Sequence, residues 1–125
     1  NSLPKKVKRY LKKAEITTKS NKRIIVNLAI NYGSKDEIAS ACKTIKIKKK
    51  INEKNIERNL FTRDLPNPDI LVRTGGHKRL SNFMLWQLAY SEIYFLDKLW
   101  PDFNYNDLNK IIKKFKNIKR NFGSI

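Results

Sequence analysis

The stretch DILVRTGGHKRLSNFMLWQLAYSEIYFLDKLWPDF, Asp69 to Phe103, decides how this chain reads. Ile70-Leu71-Val72 is a short apolar run of buried-strand type. Gly75-Gly76 then turns the chain, Arg73, Lys78 and Arg79 gather around the turn, and Ser81 opens an expected helix over 82–90. Strand, glycine turn, cations and helix N-terminus, in that order, is how α/β proteins hold phosphate. Arg73 falls at the C-terminal end of its strand, where open α/β sheets bind ligands. Gly75 and Gly76 are expected to let backbone N–H groups approach an anion closely. Arg79 can fork two phosphate oxygens, and Ser81 offers a hydroxyl where a helix dipole attracts negative charge. A plainer reading stands beside this one: Ser81 as a simple N-cap, and the cations as a solvated turn. No Gly-Lys-Ser/Thr follows the glycines, so this is not a Walker loop.

Glu92 is a second candidate, because it enters the apolar run Ile93-Tyr94-Phe95-Leu96. A carboxylate there must be paired, metal-bound or at the rim, and pairing with one of the many lysines is an equal alternative. Were 81–92 one straight helix, Glu92 would stand ~16 Å along the axis from Ser81. The helix is then interrupted, or the strand carries Glu92 elsewhere in the site, or Glu92 serves a partner subunit. Trp86, Tyr90, Tyr94, Phe95 and Trp100 could line an apolar pocket, but at this spacing core positions are expected for most of them. His77 is the only histidine and Cys42 the only cysteine. Together they exclude an internal disulfide and a Cys/His zinc site. They leave little for Ser-His-Asp chemistry, and a reducing, cytoplasmic compartment fits.

Outward from this block, Pro4 to about Thr18 reads as an amphipathic helix, with Val7, Leu11 and Ala14 on one face. Ile24–Ile30 (IIVNLAI) reads as a strand covered on both faces. Ser34-Lys35-Asp36-Glu37 has the spacing of a capping box, with Ser34 as N-cap and Glu37 reaching back, and Ile38, Cys42 and Ile45 follow on the helix. The helix gives way to a lysine run at 46–50. Asn52 to about Leu60 reads as a short helix, and residues 62–69, with two prolines, as a loop. Asn104 with Asp107 starts a last helix, carrying Leu108, Ile111, Ile112, Phe115 and Phe122 at helical period. The expectation is an α/β fold: a partial parallel sheet flanked by helices, in a single domain over 1–125. Three strands are few for a doubly covered sheet, so the chain reads as part of a larger one.

The chain has 125 residues and a net charge of +17. A basic chain suggests nucleic acid. Lysine outnumbers arginine 21 to 7, however, and Lys, Ile and Asn fill 50 of the 125 positions. All three have A/T-rich codons, so a base-composition bias would produce this charge without selection for a polyanion, and the arginines that dominate base recognition are scarce. No specific nucleic-acid partner is expected. Peripheral contact with an anionic membrane stays open, since no apolar run approaches the ~20 residues of a membrane-spanning helix. The start at Asn1 reads as a trimmed or partial product, with no signal-peptide pattern.

From about Leu3 to Gly123 the chain resembles the cis-prenyltransferases, the bacterial undecaprenyl diphosphate synthase type above all. VNLAINYGSKDEI (26–38) is similar to the family's segment around Asn-Tyr-Gly, and Asp69–Phe103 is similar to its signature block almost throughout. The resemblance implies cis-prenyl chain elongation. Isopentenyl diphosphate attacks an allylic diphosphate of the farnesyl class, with Mg²⁺ stabilising the leaving group, and the polyprenyl product serves as a lipid carrier for cell-wall precursors. By motif match Arg73, Arg79 and Ser81 hold the isopentenyl diphosphate, with Gly75, Gly76, Asn82 and Asn31 behind them, and Glu92 matches the magnesium-linked glutamate. A homodimer is implied for the full-length protein. Departures accompany the match. No segment corresponds to the family's N-terminal half, which carries the Met-Asp-Gly-Asn-type aspartate. His77 stands where Glu is usual, Ser34-Lys35 where Gly-Arg is usual, and Asn121 where a second Arg is usual. The implied chain is the isopentenyl-diphosphate half of the site, inactive alone. A non-catalytic partner subunit is the alternative, and a basic nucleic-acid binder a more distant one.

Overall fold

A computed structural model describes residues 3–45 and 50–121. The chain groups into two compact units, Asn1–Ile30 and Asn31–Ile125. In the first, helix α1 (Lys5–Thr18) follows Pro4 as N-cap. Proline has no backbone N–H of its own to satisfy, and its carbonyl accepts Lys8 N–H at 3.1 Å. The helix buries none of its residues. The strand expected at Ile24–Ile30 is absent: Ile24, Ile25 and Val26 are 75%, 76% and 72% exposed. The apolar pattern supplies β propensity, but a strand exists through its hydrogen-bonded neighbour. Among the described residues none pairs with this run.

In the second unit α2 spans Ser34–Thr44 and α3 spans Glu53–Glu57. Asn52 caps α3 by accepting Asn55 N–H at 2.9 Å. That helix is shorter than the expected 52–60, the chain continuing in turns to Leu60. The core lies between these elements. Ala41, Ile45, Ile56 and Leu60 are buried together, with Ile38, Cys42 and Trp86 packed against them. Positions 38, 41, 42 and 45 share one helical face. Residues 62–69 form the expected loop.

Strands β1 (Ile70–Arg73) and β2 (Glu92–Phe95) pair in parallel, Ile70 opposite Glu92 and Arg73 opposite Phe95. The sheet has two strands among the described residues, one fewer than expected. Its crossover is not the expected helix over 82–90. Ser81, Asn82 and Met84 have φ of 50°, 62° and 45°, and left-handed residues cannot continue a right-handed helix. The segment runs in turns that bury Gln87 and Leu88. A 3₁₀ turn at Trp100–Asp102 precedes α4 (Tyr105–Lys116). The α4 capping box is the expected one: Asn104 accepts from Asp107 N–H, and Asp107 accepts from Asn104 N–H. Ile111 is buried, and Phe122 lies outside the described residues. Of the aromatic set Trp86 joins the core, while Tyr94 and Phe95 are half-buried. Tyr90 and Trp100 are exposed, against expectation, with Trp100 stacked on Phe103 at 5.7 Å.

Candidate functional site

Arg73, the last residue of β1, organises the cation turn. Its Nη1 donates to the backbone carbonyl of Arg79 and, at 3.1 Å, to Ser81 Oγ. Three residues named from sequence therefore meet at one guanidinium. A guanidinium has five N–H donors, so donors remain for a bound anion beside the Ser81 hydroxyl. The side chains of His77, Lys78 and Arg79 are exposed around it.

Gly75 and Gly76 act differently from expectation. Gly75 N–H donates to the Lys98 carbonyl at 2.7 Å and Gly76 N–H to the Leu96 carbonyl at 2.9 Å. Both amides are committed to the chain leaving β2, so they are not anion donors. Their φ values of 90° and 75° explain why glycine stands there. The helix-dipole contribution expected at Ser81 also falls away with the helix.

The loop from Ser81 to Leu88 is held by α2. Ser34 N–H donates to the Asn82 carbonyl at 2.8 Å, and Lys35 N–H to Asn82 Oδ1 at 2.9 Å. Ser34 Oγ accepts Leu85 N–H at 2.9 Å. Ser34 is thus the first residue of α2 and not its N-cap, which is Gly33. Glu37 does not reach back as a capping-box residue would. Fully buried, it accepts Phe61 N–H at 2.7 Å on one oxygen, and Tyr32 Oη at 2.5 Å and Gln87 Nε2 at 3.0 Å on the other. Gln87 Nε2 also donates to Thr62 Oγ1 at 3.0 Å. Ser-x-x-Glu spacing was satisfied by tertiary partners in place of local ones. Sequence reasoning missed this group, since no spacing signals a carboxylate shared by one nearby donor, Tyr32, and two distant ones, Phe61 and Gln87. Asn31 is exposed with φ of 54°, two residues before Gly33.

Burial, then the hydrogen bond to Glu37, pushes the Tyr32 phenol above the usual tyrosine range. A phenol whose folded pKa is raised binds its proton longer when folded. Its stabilising share is whole below the unfolded value of about 10 and declines as pH rises beyond that. Urea midpoints should therefore fall above about pH 10, and Tyr32→Phe should flatten that fall. An identical alkaline decline in the variant counts against the assignment.

Glu92 begins β2 opposite Ile70, so the ladder carries it toward the other end of the sheet from Arg73. Three residues of strand separate the two register positions by about 10 Å. The interrupted helix resolves the spacing problem, yet the strand does not bring Glu92 to Ser81. Glu92 instead borders a recess with Tyr90, Ser91, Lys119, Arg120 and Asn121. Nearby, Arg120 Nη1 pairs with Asp69 at 2.5 Å and Nη2 bonds the Tyr90 carbonyl at 3.1 Å. No group of three or more His, Cys, Asp or Glu able to hold a metal occurs among the described residues. One carboxylate, with Asp69 engaged by Arg120, does not by itself fit Mg²⁺.

Residues 1–123 match the family model "Putative undecaprenyl diphosphate synthase". An isoprenyl transferase of Fusobacterium nucleatum is 42% identical over 127 residues, covering 100% of this chain and 55% of that protein. One from Prochlorococcus marinus is 44% identical, over 98% of this chain and 48% of that protein. Among solved structures, a "probable undecaprenyl diphosphate synthase" from Campylobacter jejuni superposes with a TM-score of 0.84 at 44% identity, over 98% of this chain and 58% of that one. Lavandulyl diphosphate synthase from Lavandula x intermedia, in complex with dimethylallyl diphosphate, gives 0.89 at 35%, over 98% and 56%. The chain spans about half the length of the relatives it matches. Fold and sequence agree, and the chain belongs to the undecaprenyl diphosphate synthase family of cis-prenyltransferases.

Proposed function

We propose that this chain provides the isopentenyl-diphosphate half of a cis-prenyl chain-elongation site. The convergence of Arg73 on Arg79 and Ser81 carries the reading. A diphosphate seated there meets the Arg73 guanidinium and the Ser81 hydroxyl, with the exposed Arg79 side chain next along the turn, and fixed cations hold it more cheaply than water, which must reorganise. In the reaction the isopentenyl diphosphate keeps its own diphosphate. Its double bond attacks the allylic carbon, the allylic diphosphate leaves and a proton is lost. The loop's task is therefore to anchor and orient a nucleophile. Allylic diphosphate of the farnesyl class is the second substrate in this reading. Glu92 enters as one carboxylate of a Mg²⁺ site whose other ligands lie outside the described residues. A homodimeric, cytoplasmic assembly touching the membrane peripherally, with a product serving cell-wall synthesis, belongs to the same reading. No helix among the described residues is long and apolar enough to cross a membrane.

The placement of Glu92 favours incompleteness, and so leaves room for a subunit that completes a partner's site. Purified chain, titrated calorimetrically, should bind isopentenyl diphosphate, yet show little or no elongation of farnesyl diphosphate with Mg²⁺. Undetectable isopentenyl diphosphate binding would falsify the anion reading, and robust elongation would overturn the half-site.

A further inference from the structure

We infer that Asn82 is a positioning residue, through which the Asn31-Tyr32-Gly33 segment and the start of α2 set the geometry of Ser81 and Arg73. The inference rests on the diphosphate reading of the loop. Asn82 is held at both its backbone and side chain: its carbonyl accepts Ser34 N–H and its Oδ1 accepts Lys35 N–H. Those two amides belong to the first turn of α2, where backbone donors lack partners within the helix. The loop thus fills the helix's need, and the helix fixes the loop. Gly33 shows how close the approach is. A Cβ on Gly33 would stand 2.9 Å from Asn82 Nδ2, below any ordinary contact, so a side chain at 33 would displace the Asn82 amide from its place. A third tie, Leu85 N–H to Ser34 Oγ, closes the loop on its far side.

At and around these ties the backbone is left-handed at Ser81, Asn82 and Met84. Such residues persist only where their surroundings over-determine them, and asparagine tolerates this region better than most. Ser81 is the covalent neighbour of Asn82, and its Oγ is the one Arg73 reaches. Fixing Asn82 fixes the direction in which Ser81 presents its hydroxyl, and with it the rotamer of Arg73. Asn82 need not touch the diphosphate to matter to it.

The test uses Asn82→Gly, which removes the side-chain acceptor and relieves the left-handed strain, and Asn82→Ala, which removes the acceptor and keeps the strain. Both should weaken inorganic pyrophosphate binding about tenfold or more, at temperatures where circular dichroism shows the variants folded. In a Ser81→Ala background, Asn82→Gly should add under twofold, because its effect passes through Ser81. Full additivity would show a general structural role and overturn the inference, as would wild-type affinity in Asn82→Gly. Independently of any ligand, Asn82→Gly should remove the nuclear Overhauser contacts between the Ser81 β-protons and the Arg73 side chain, and speed exchange of the Lys35 amide. Contacts and exchange unchanged overturn the positioning role by themselves. Absence of pyrophosphate binding in the wild type overturns instead the diphosphate reading, leaving this structural arm to decide the other.

Discussion

Arg73→Met is expected to weaken isopentenyl diphosphate binding by about 100-fold or more. The side chain does two things, and methionine does neither. It carries one of the two guanidinium charges at the turn, and it ties the Arg79 carbonyl and Ser81 Oγ to the end of β1. A hydrogen bond to a charged group is worth about 1.5–3 kcal/mol, so losing a forked contact with the diphosphate alone reaches about two orders of magnitude. Release of the loop adds to this. Arg73→Lys keeps the charge but not the planar fork, and an intermediate loss near tenfold is expected. Calorimetric titration of the three proteins, with urea midpoints run alongside, separates binding from folding. Affinity within threefold of wild type for Arg73→Met would remove Arg73 from the centre of the site.

The largest effect on stability should come from Glu37→Ala, about 3–5 kcal/mol. Phe61 N–H, Tyr32 Oη and Gln87 Nε2 all donate to this fully buried carboxyl group. Alanine would leave those donors facing a cavity, and each unpaired buried donor costs about 1–3 kcal/mol. For a domain stable by about 5–15 kcal/mol that approaches unfolding. Glu37→Gln should cost less, since an amide keeps one acceptor but turns its NH₂ toward a donor. The measurement is a shift in urea midpoint at constant m-value. A shift of Glu37→Ala below about 1 kcal/mol would mean that water replaces the carboxylate, and the group would lose its structural importance.

Much of the frame was legible in the sequence because its causes are local. Ile70–Arg73 and Glu92–Phe95 are short, β-prone runs bounded by turn residues, and the Asn104/Asp107 box needs only itself. The segment 82–90 misled because its helical periodicity is real, while its conformation is imposed by α2. The same contact explains Ser34 and Glu37, whose capping-box spacing gave way to better partners some 50 residues distant. At the candidate site, the sequence named Arg73, Arg79 and Ser81, and the Arg73 guanidinium reaches the Arg79 backbone carbonyl and Ser81 Oγ. The glycine amides were misassigned because sequence cannot say that the Leu96 and Lys98 carbonyls take them first. Ile24–Ile30 shows the reverse case, a strand-like run without a ladder partner among the described residues.

The long reach of the bonds around α2 has a kinetic side. Lys35 and Ser34 meet Asn82 and Leu85 across 47 and 51 residues of chain, and Glu37 meets Gln87 across 50. Closing so long a loop costs entropy before any contact repays it, whereas the turns of α2 and α4 can nucleate on their own. The loop from Ser81 to Leu88 is then shaped near the end of folding, after the α2 helix that holds it. In a chevron, Glu37→Ala should raise the unfolding limb far more than it lowers the folding limb. A nascent chain would acquire its helices early and its chemistry last.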